Sequence, residues 1–265
     1  MDAPRHIAIT GASSGLGAAL ARLYARPGVT LSLTGRNTDR LARVADQCRA
    51  AGSEVATAVL DVTDAPGMDQ WLRQRDAMRA FELVIANAGV GGAGVIAPDS
   101  GESGPVARQI LEINLIGVIN TVTPLLPGFV ARRHGHIAIM SSLAGFIALP
   151  DAPTYSASKA AVRLYGHALR RRVVSQGVWV SVICPGFVAT PMNASLPVPR
   201  PFLWSSERAA RYIVAGLARR KREIVFPLAL RVAVRLANLL PAALMDAVLI
   251  RASQRFRDQN RDASA

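Results

Sequence analysis

Seven short apolar runs punctuate the first 226 residues, and longer stretches with helical spacing lie between them. The runs are His6–Thr10, Val29–Leu33, Val55–Leu60, Leu83–Ala86, His136–Met140, Val178–Ile183 and Glu223–Phe226, each four to six residues long. That is strand length, and runs apolar throughout fit strands covered on both faces. The intervening segments predict helices. Leu16–Arg26 sets Leu16, Leu20, Leu23 and Tyr24 on one side. Thr38–Ala50 has Asp39 in its first turn, where the helix dipole favours an anion. Asp64–Met78 tolerates Pro66 near its start. Val106–Arg133 is long, and Pro124 and Pro127 should bend or interrupt it. Thr154–Ser175 is the last helix of the series. Alternating strands and helices imply βαβ units: an α/β fold, doubly wound, with a parallel sheet and helices on both faces. No linker or internal repeat divides the chain, so it reads as a single domain over residues 1–226 with a C-terminal helical extension over residues 227–265.

The first strand runs into Thr10-Gly11-Ala12-Ser13-Ser14-Gly15-Leu16-Gly17 and then into a helix. Glycines at such a strand–helix junction allow a tight turn, close approach of the backbone to a pyrophosphate, and close packing of helix on strand. The helix N-terminus adds free amides and the positive end of a dipole, and Ser13 and Ser14 add hydroxyls. The position of the turn, more than the glycine pattern itself, makes residues 1–226 a Rossmann-type dinucleotide-binding unit. The second strand ends in Gly35-Arg36-Asn37, with no acid before Asp39. An acid there would bind a ribose 2′-hydroxyl, whereas an arginine can pair with a 2′-phosphate. Arg36 therefore favours NADP(H), with NAD(H) still open.

Composition narrows the classes. The 265 residues are 51% hydrophobic, which excludes a disordered or fibrous chain. Two cysteines, Cys48 and Cys184, cannot build a disulfide framework or a four-ligand zinc site, and read as buried small hydrophobes. His134, His136 and His167 lack metal-ligand spacing, so no metal is expected. Met1–Arg5 shows no basic n-region followed by an apolar run, so the expectation is a cytoplasmic protein. The formal net charge is +13, and 29 of the 31 basic residues are arginine. Residues 200–265 hold 13 basic and 5 acidic side chains, against 18 and 13 in residues 1–199. No nucleic-acid motif or aromatic platform accompanies that charge, so no nucleic-acid partner is expected.

Lys159 is one of two lysines, and it follows Tyr155 by four residues. On a helix that spacing puts both side chains on one face. An ammonium near a phenol favours the phenolate, so Lys159 should lower the pKa of Tyr155 and tune it as a general acid/base. Ser142 lies thirteen residues before Tyr155, at the end of the fifth strand. Ligands of open parallel sheets bind beyond the carboxyl ends of strands, so Ser142 should reach a substrate oxygen there. Asn87-Ala88-Gly89 and Pro185-Gly186 end on the same rim.

Taken together, these residues resemble the short-chain dehydrogenase/reductase family, in its compact single-domain branch, over about residues 5–195. The resemblance implies hydride transfer between a nicotinamide cofactor and a carbonyl or secondary alcohol. It makes Asn114, Ser142, Tyr155 and Lys159 the catalytic set: Tyr155 the acid/base, Lys159 its modulator and ribose ligand, Ser142 the oxygen-positioning residue, and Asn114 the anchor of a relay water. Along the cofactor it places Gly11, Ser13, Ser14, Gly15, Leu16, Gly17, Arg36, Asp61, Val62, Asn87, Ala88, Gly89, Tyr155, Lys159, Pro185, Gly186, Val188 and Thr190. Asp61 should meet the adenine amino group, Asn87 the adenosine ribose, and Thr190 the carboxamide. The family often has Asn-Asn-Ala-Gly where this chain has Ala86-Asn87-Ala88-Gly89. Pairing into a homo-oligomer through the helices near 106–133 and 154–175 is also implied. The alternative is a non-catalytic dinucleotide-binding regulatory or membrane-associated protein, which the intact Ser142, Tyr155 and Lys159 argue against.

Two segments bear on the substrate and on partners. Phe187–Trp204 is proline-rich and carries Phe202, Leu203 and Trp204, which fits a mobile lid with an apolar inner wall and an apolar or bulky substrate. Leu228–Ile250 is rich in Leu, Ala and Val but too broken for a spanning helix. Packing on its own domain or on a partner subunit is its plainer reading. The other reading joins Arg219-Arg220-Lys221-Arg222, Arg231 and Arg235 to it, making residues 219–250 a peripheral contact with an anionic inner membrane surface.

Overall fold

The computed structural model describes residues 4–91, 96–97, 101–194 and 200–262. Seven strands form one parallel sheet: β1 (His6–Ile9), β2 (Thr30–Gly35), β3 (Glu54–Val59), β4 (Leu83–Ala86), β7 (Gly135–Met140), β8 (Val178–Pro185) and β11 (Glu223–Phe226). Two small pairs lie outside it, β5 (Ile96–Ala97) antiparallel with β6 (Gly101–Glu102), and β9 (Val188–Ala189) parallel with β10 (Trp204–Ser205). The sheet order is β11-β8-β7-β4-β1-β2-β3. From β1 the chain winds outward to β2 and β3, then returns to place β4 on the other side of β1, where Ile9 pairs with both Leu33 and Ile85. Strand order reverses at this point, and a crevice opens beyond the strand ends.

Successive residues of β1 serve opposite cores. Ile7 and Ile9 join a cluster with Leu16, Leu20, Leu41 and Ile213, while Ala8 joins Met68, Val118, Val122 and Val162. The helices α1 (Gly15–Tyr24), α2 (Thr38–Ala50) and α9 (Ser206–Ala218) cover the first face. The second is covered by α3 (Ala65–Met78), α5 (Gly117–Val122) and α7 (Pro153–Val173). Side chains cap two helices: Asn37 accepts from the Arg40 amide at 2.9 Å, and Asp64 from the Gly67 amide at 3.0 Å.

Several expectations need correction. Leu23 is 41% exposed, although its spacing puts it beside Leu20 and Tyr24. Strand β3 is an edge strand with mixed burial, so it is not covered on both faces. The predicted 106–133 helix is three pieces: α4 (Gly104–Leu111), α5, and α6 (Leu126–Arg132). A turn at Thr123–Leu125 carries Pro124, and a π-helical turn at Glu112–Ile116 separates α4 from α5. Helix α9 was not foreseen, although Ala209, Ala210, Ile213 and Leu217 carry its buried stripe.

Among the described residues, one helical stretch, Gly104–Arg132, is long and apolar enough to cross a bilayer. Half of its most apolar window is buried, and Ile113, Val118, Val122 and Phe129 from it belong to the core. The C-terminal segment forms α10 (Leu228–Ala237) and α11 (Ala242–Asp262). Leu230 of α10 packs with Leu143, Val182, Cys184 and Val225. Asn238 donates to the Phe146 carbonyl at 2.8 Å, and Ser253 to Asp151 at 2.7 Å. The extension is thus tied to both ends of the segment between Ser142 and Tyr155.

Candidate active site

A cleft of about 610 Å³ lies across the carboxyl ends of β1, β2, β4, β7 and β8. That is the size range of small-molecule and cofactor sites. Its floor is the glycine turn. Gly11 has φ +65° and Gly15 φ +53°, left-handed values at which a side chain is strained. A Cβ at Gly11 would lie 2.8 Å from the Ala88 Cα, and one at Gly17 would run into the Gly11 carbonyl. The turn is fixed from the β4 side. Asn87 Nδ2 donates to the carbonyls of Thr10 (2.9 Å) and Gly11 (3.3 Å), and the Thr10 hydroxyl accepts from the amides of Asn87 and Ala88. Asn87 lines the cleft as expected, but its amide nitrogen is spent on shaping the turn. At the start of α1, Ser14 makes no side-chain cap bond and no acid occupies the first turn. The amides there face the cleft without a competing carboxylate, so the cradle fits a pyrophosphate.

Arg36, Asp61 and Val62 sit at one end of the cleft. Burial alone would push the Asp61 pKa up. Hydrogen bonds from the Thr63 amide (3.0 Å) and hydroxyl (2.9 Å), with the Arg36 charge, hold it below the usual carboxylate value. The Arg36 guanidinium is 3.5 Å from Asp61 and its side chain is 58% exposed, so the pair contributes little and Arg36 is free to turn toward another anion. Asn37 and Arg40 line the same end. Arg40 was missed in the sequence, although it lies in the first turn of α2, four residues beyond Arg36.

Ser142, Tyr155 and Lys159 meet at the other end, with Pro185, Gly186, Val188 and Thr190. Ser142 begins a 3-10 turn (Leu143–Phe146), accepts from the Ala144 amide at 3.1 Å and donates to the Pro185 carbonyl at 3.4 Å, and Tyr155 lines the cleft beside it. Ser141 turns the other way and donates to the Lys159 carbonyl at 2.7 Å. The structure therefore separates the two serines as the thirteen-residue offset does. Lys159 Nζ donates to the Met140 carbonyl at 3.2 Å and lies 5.7 Å from the Tyr155 ring centre.

The electrostatics differ from the expectation. Burial raises the Tyr155 pKa, and the nearby Ser142 hydroxyl opposes that rise. Burial also lowers Lys159 to about 8, so its charge is a weaker lever on the phenol than the spacing implied. In this state Tyr155 is a neutral phenol, the form that donates a proton.

Asn114 stands behind the cleft wall. It lies in the π turn and is fully buried. Its Oδ1 accepts from the Val90 amide at 2.8 Å, while Nδ2 donates to the Val90 carbonyl at 3.0 Å and the Ser158 hydroxyl at 3.1 Å. The side chain has no amide hydrogen left to give a water, so a relay water would donate to its main-chain carbonyl or to the second lone pair of Oδ1. Trp204 also departs from expectation: it stacks on Phe226 at 4.9 Å and pairs through β10 with Val188, so it belongs to the body and is no lid wall. Met192 lines the cleft, and a Cβ on Gly91 would touch its Cγ at 3.4 Å. Pro197 and Pro199 of the expected lid lie outside the described residues. Cys48 and Cys184 are free and buried, and no group of three or more potential metal ligands occurs among the described residues.

The family model for short chain dehydrogenases matches residues 5–200. The chain belongs to the short-chain dehydrogenase family. An uncharacterized oxidoreductase of Myxococcus xanthus is 39% identical over 240 residues, covering 90% of this chain and 94% of that protein. A short-chain dehydrogenase from Sphingobium yanoikuyae in complex with NADPH superposes with a TM-score of 0.78 at 25% identity, over 88% of this chain and 91% of that one. A short chain dehydrogenase/reductase from Burkholderia phymatum in complex with NAD gives a TM-score of 0.77 at 28% identity, over 88% and 92%. This short-chain dehydrogenase is accordingly an oxidoreductase that uses a nicotinamide dinucleotide and a small-molecule substrate.

Proposed function

We propose that this enzyme reduces an apolar or bulky carbonyl compound, or oxidises the corresponding secondary alcohol, and prefers NADP(H). The Ser142 and Tyr155 side chains, brought together at the mouth of the dinucleotide cleft with Lys159 one turn along α7, carry the reading. When bound, the nicotinamide supplies or accepts the hydride. The protein does the rest. Tyr155, half-buried and neutral, gives its proton to the substrate oxygen as charge develops there, and recovers it in the reverse direction. Ser142, fixed by the Ala144 amide, hydrogen-bonds that same oxygen. Lys159 holds the nicotinamide ribose and returns the proton to Tyr155. Asn114 positions Val90 and Ser158 around them.

Arg36 supports the cofactor preference, because among the described residues the acid lining that end of the cleft is Asp61, which Thr63 already engages. Arg40 adds a second positive charge. Val90, Ile113 and Met192 in the cleft wall support an apolar substrate. Exposed Leu111, Ile116 and Leu164 on α4, the π turn and α7 support pairing of two copies through that face. The test is NADPH oxidation by the purified enzyme with a panel of aliphatic and aromatic ketones and aldehydes. Turnover that rises with the apolar bulk of the substrate is expected; no turnover with any carbonyl, in either direction, would overturn the reading.

A further inference from the structure

Among the described residues, the outer side of the C-terminal helices α10 and α11 carries exposed apolar side chains. Leu228, Val232 and Leu236 recur every fourth residue along one face of α10, all exposed. Leu239, in the turn to α11, is 80% exposed, and Leu244 and Val248 continue the stripe on α11. Helix α10 therefore has two apolar faces. One, through Leu230, is packed on Leu143 and Val225; the other meets solvent. An apolar surface of this extent marks an interaction site.

Charge decides between occupants. From Leu228 to residue 251, α10 and α11 hold three basic side chains, Arg231, Arg235 and Arg251, against one acid, Asp246. Arg235 and Arg251 are exposed on the same two helices as the leucines. A two-fold contact with a second copy would set this basic strip against its own image, with like charges facing. An anionic lipid surface accepts both features at once: acyl chains take the leucines and headgroups take the arginines.

We propose that the outer face of α10 and α11 seats the enzyme on an anionic bilayer surface. Helix α10 starts at the active-site rim, where a Cβ on Gly186 would lie 3.0 Å from Leu230 and from Pro227. Seating these helices brings the substrate mouth to the membrane, where apolar carbonyl compounds concentrate. The docking uses none of the catalytic residues, so it stands or falls separately from the hydride-transfer reading.

The experiment is flotation of the full chain with vesicles of phosphatidylcholine, alone or mixed with phosphatidylglycerol, at low and high salt. The protein should float with the anionic vesicles at low salt, less at high salt, and not with the neutral ones. The triple variant Leu236→Glu, Leu239→Glu, Val248→Glu should cut the vesicle partition by about a hundredfold. Arg235→Gln with Arg251→Gln should cut it by about tenfold. Both variants should keep the NADPH dissociation constant, which shows that they fold. Absence of flotation at low salt overturns the proposal, as does equal binding to neutral vesicles or binding unchanged by both variants. A solution dimer that the glutamate variant dissociates, with no flotation, assigns the face to a second copy instead.

Discussion

The Lys159 ammonium donates to the Met140 carbonyl at 3.2 Å and is otherwise enclosed in protein. The enclosure lowers its pKa from 10.5 to about 8. A folded value below the unfolded one means that folding carries the cost of a buried charge at pH 7, where both states are protonated. Between about 8 and 10.5 the unfolded chain binds more protons, so stability rises with pH across that window. The gap is worth about 3 kcal/mol as an upper bound. Lys159→Met should therefore be more stable than wild type at pH 7 and lose that advantage as pH rises toward 10, while turnover disappears. Urea unfolding at several pH values reads this directly. A variant no more stable at pH 7 would show that the lysine is not held at a cost.

Two histidines give a slope of the same sign at acid pH. His6 stacks on Phe81 with centroids 4.0 Å apart, and its Nδ1 lies 2.7 Å from the Arg79 carbonyl. His136 Nε2 lies 2.8 Å from the Ser181 hydroxyl. Burial lowers both from 6.5 to about 4. Below 6.5 the unfolded chain takes protons that the fold refuses, so stability falls as pH drops from 6.5 to 4. His136→Gln should flatten that slope by about one proton over this window. The same slope in wild type and variant would remove His136 from the account of acid unfolding.

Cofactor choice turns on Arg36. Its 3.5 Å pairing with Asp61 is weak and exposed, so little is lost when it moves to a phosphate. Arg36→Asp should weaken NADPH binding by about tenfold to a hundredfold and leave NADH binding no weaker. Arg40→Gln should act in the same direction with smaller effect. Fluorescence titration of the two cofactors distinguishes this from a general loss of affinity; equal dissociation constants in the wild type would contradict the preference.

Asn114 should behave as a structural residue as well as a functional one. Asn114→Ala leaves the Val90 amide and carbonyl without their partner in a buried site. A stability loss of about 2 kcal/mol or more is expected, since each stranded polar group costs about 1–3 kcal/mol. Unchanged urea midpoints with lost turnover would instead make Asn114 purely catalytic.

The sheet was legible because its central strands are buried on both faces, so Leu83–Ala86 and Val178–Ile183 read as unbroken apolar runs. The glycine turn, Ser142, Tyr155 and Lys159 were legible because each needs a fixed residue type at a fixed spacing. What escaped depends on neighbours distant in sequence. The π turn at Glu112–Ile116 keeps the apolar rhythm of an ordinary helix. Leu23 has core spacing, yet its side of α1 is left 41% exposed. Helix α9 follows a proline-rich stretch that masked its start at Ser206. The shift of Tyr155 is set by burial, which spacing does not reveal.

The central claim is that Tyr155 supplies the proton. Its sharpest test compares Tyr155→Phe with wild type in NADPH oxidation on a ketone that the wild type reduces, beside NADPH titrations of both. The phenyl ring keeps the packing and removes the hydroxyl. The account predicts that kcat/KM falls by about a hundredfold or more, while the NADPH dissociation constant stays within about twofold. Turnover by Tyr155→Phe close to that of the wild type would contradict it.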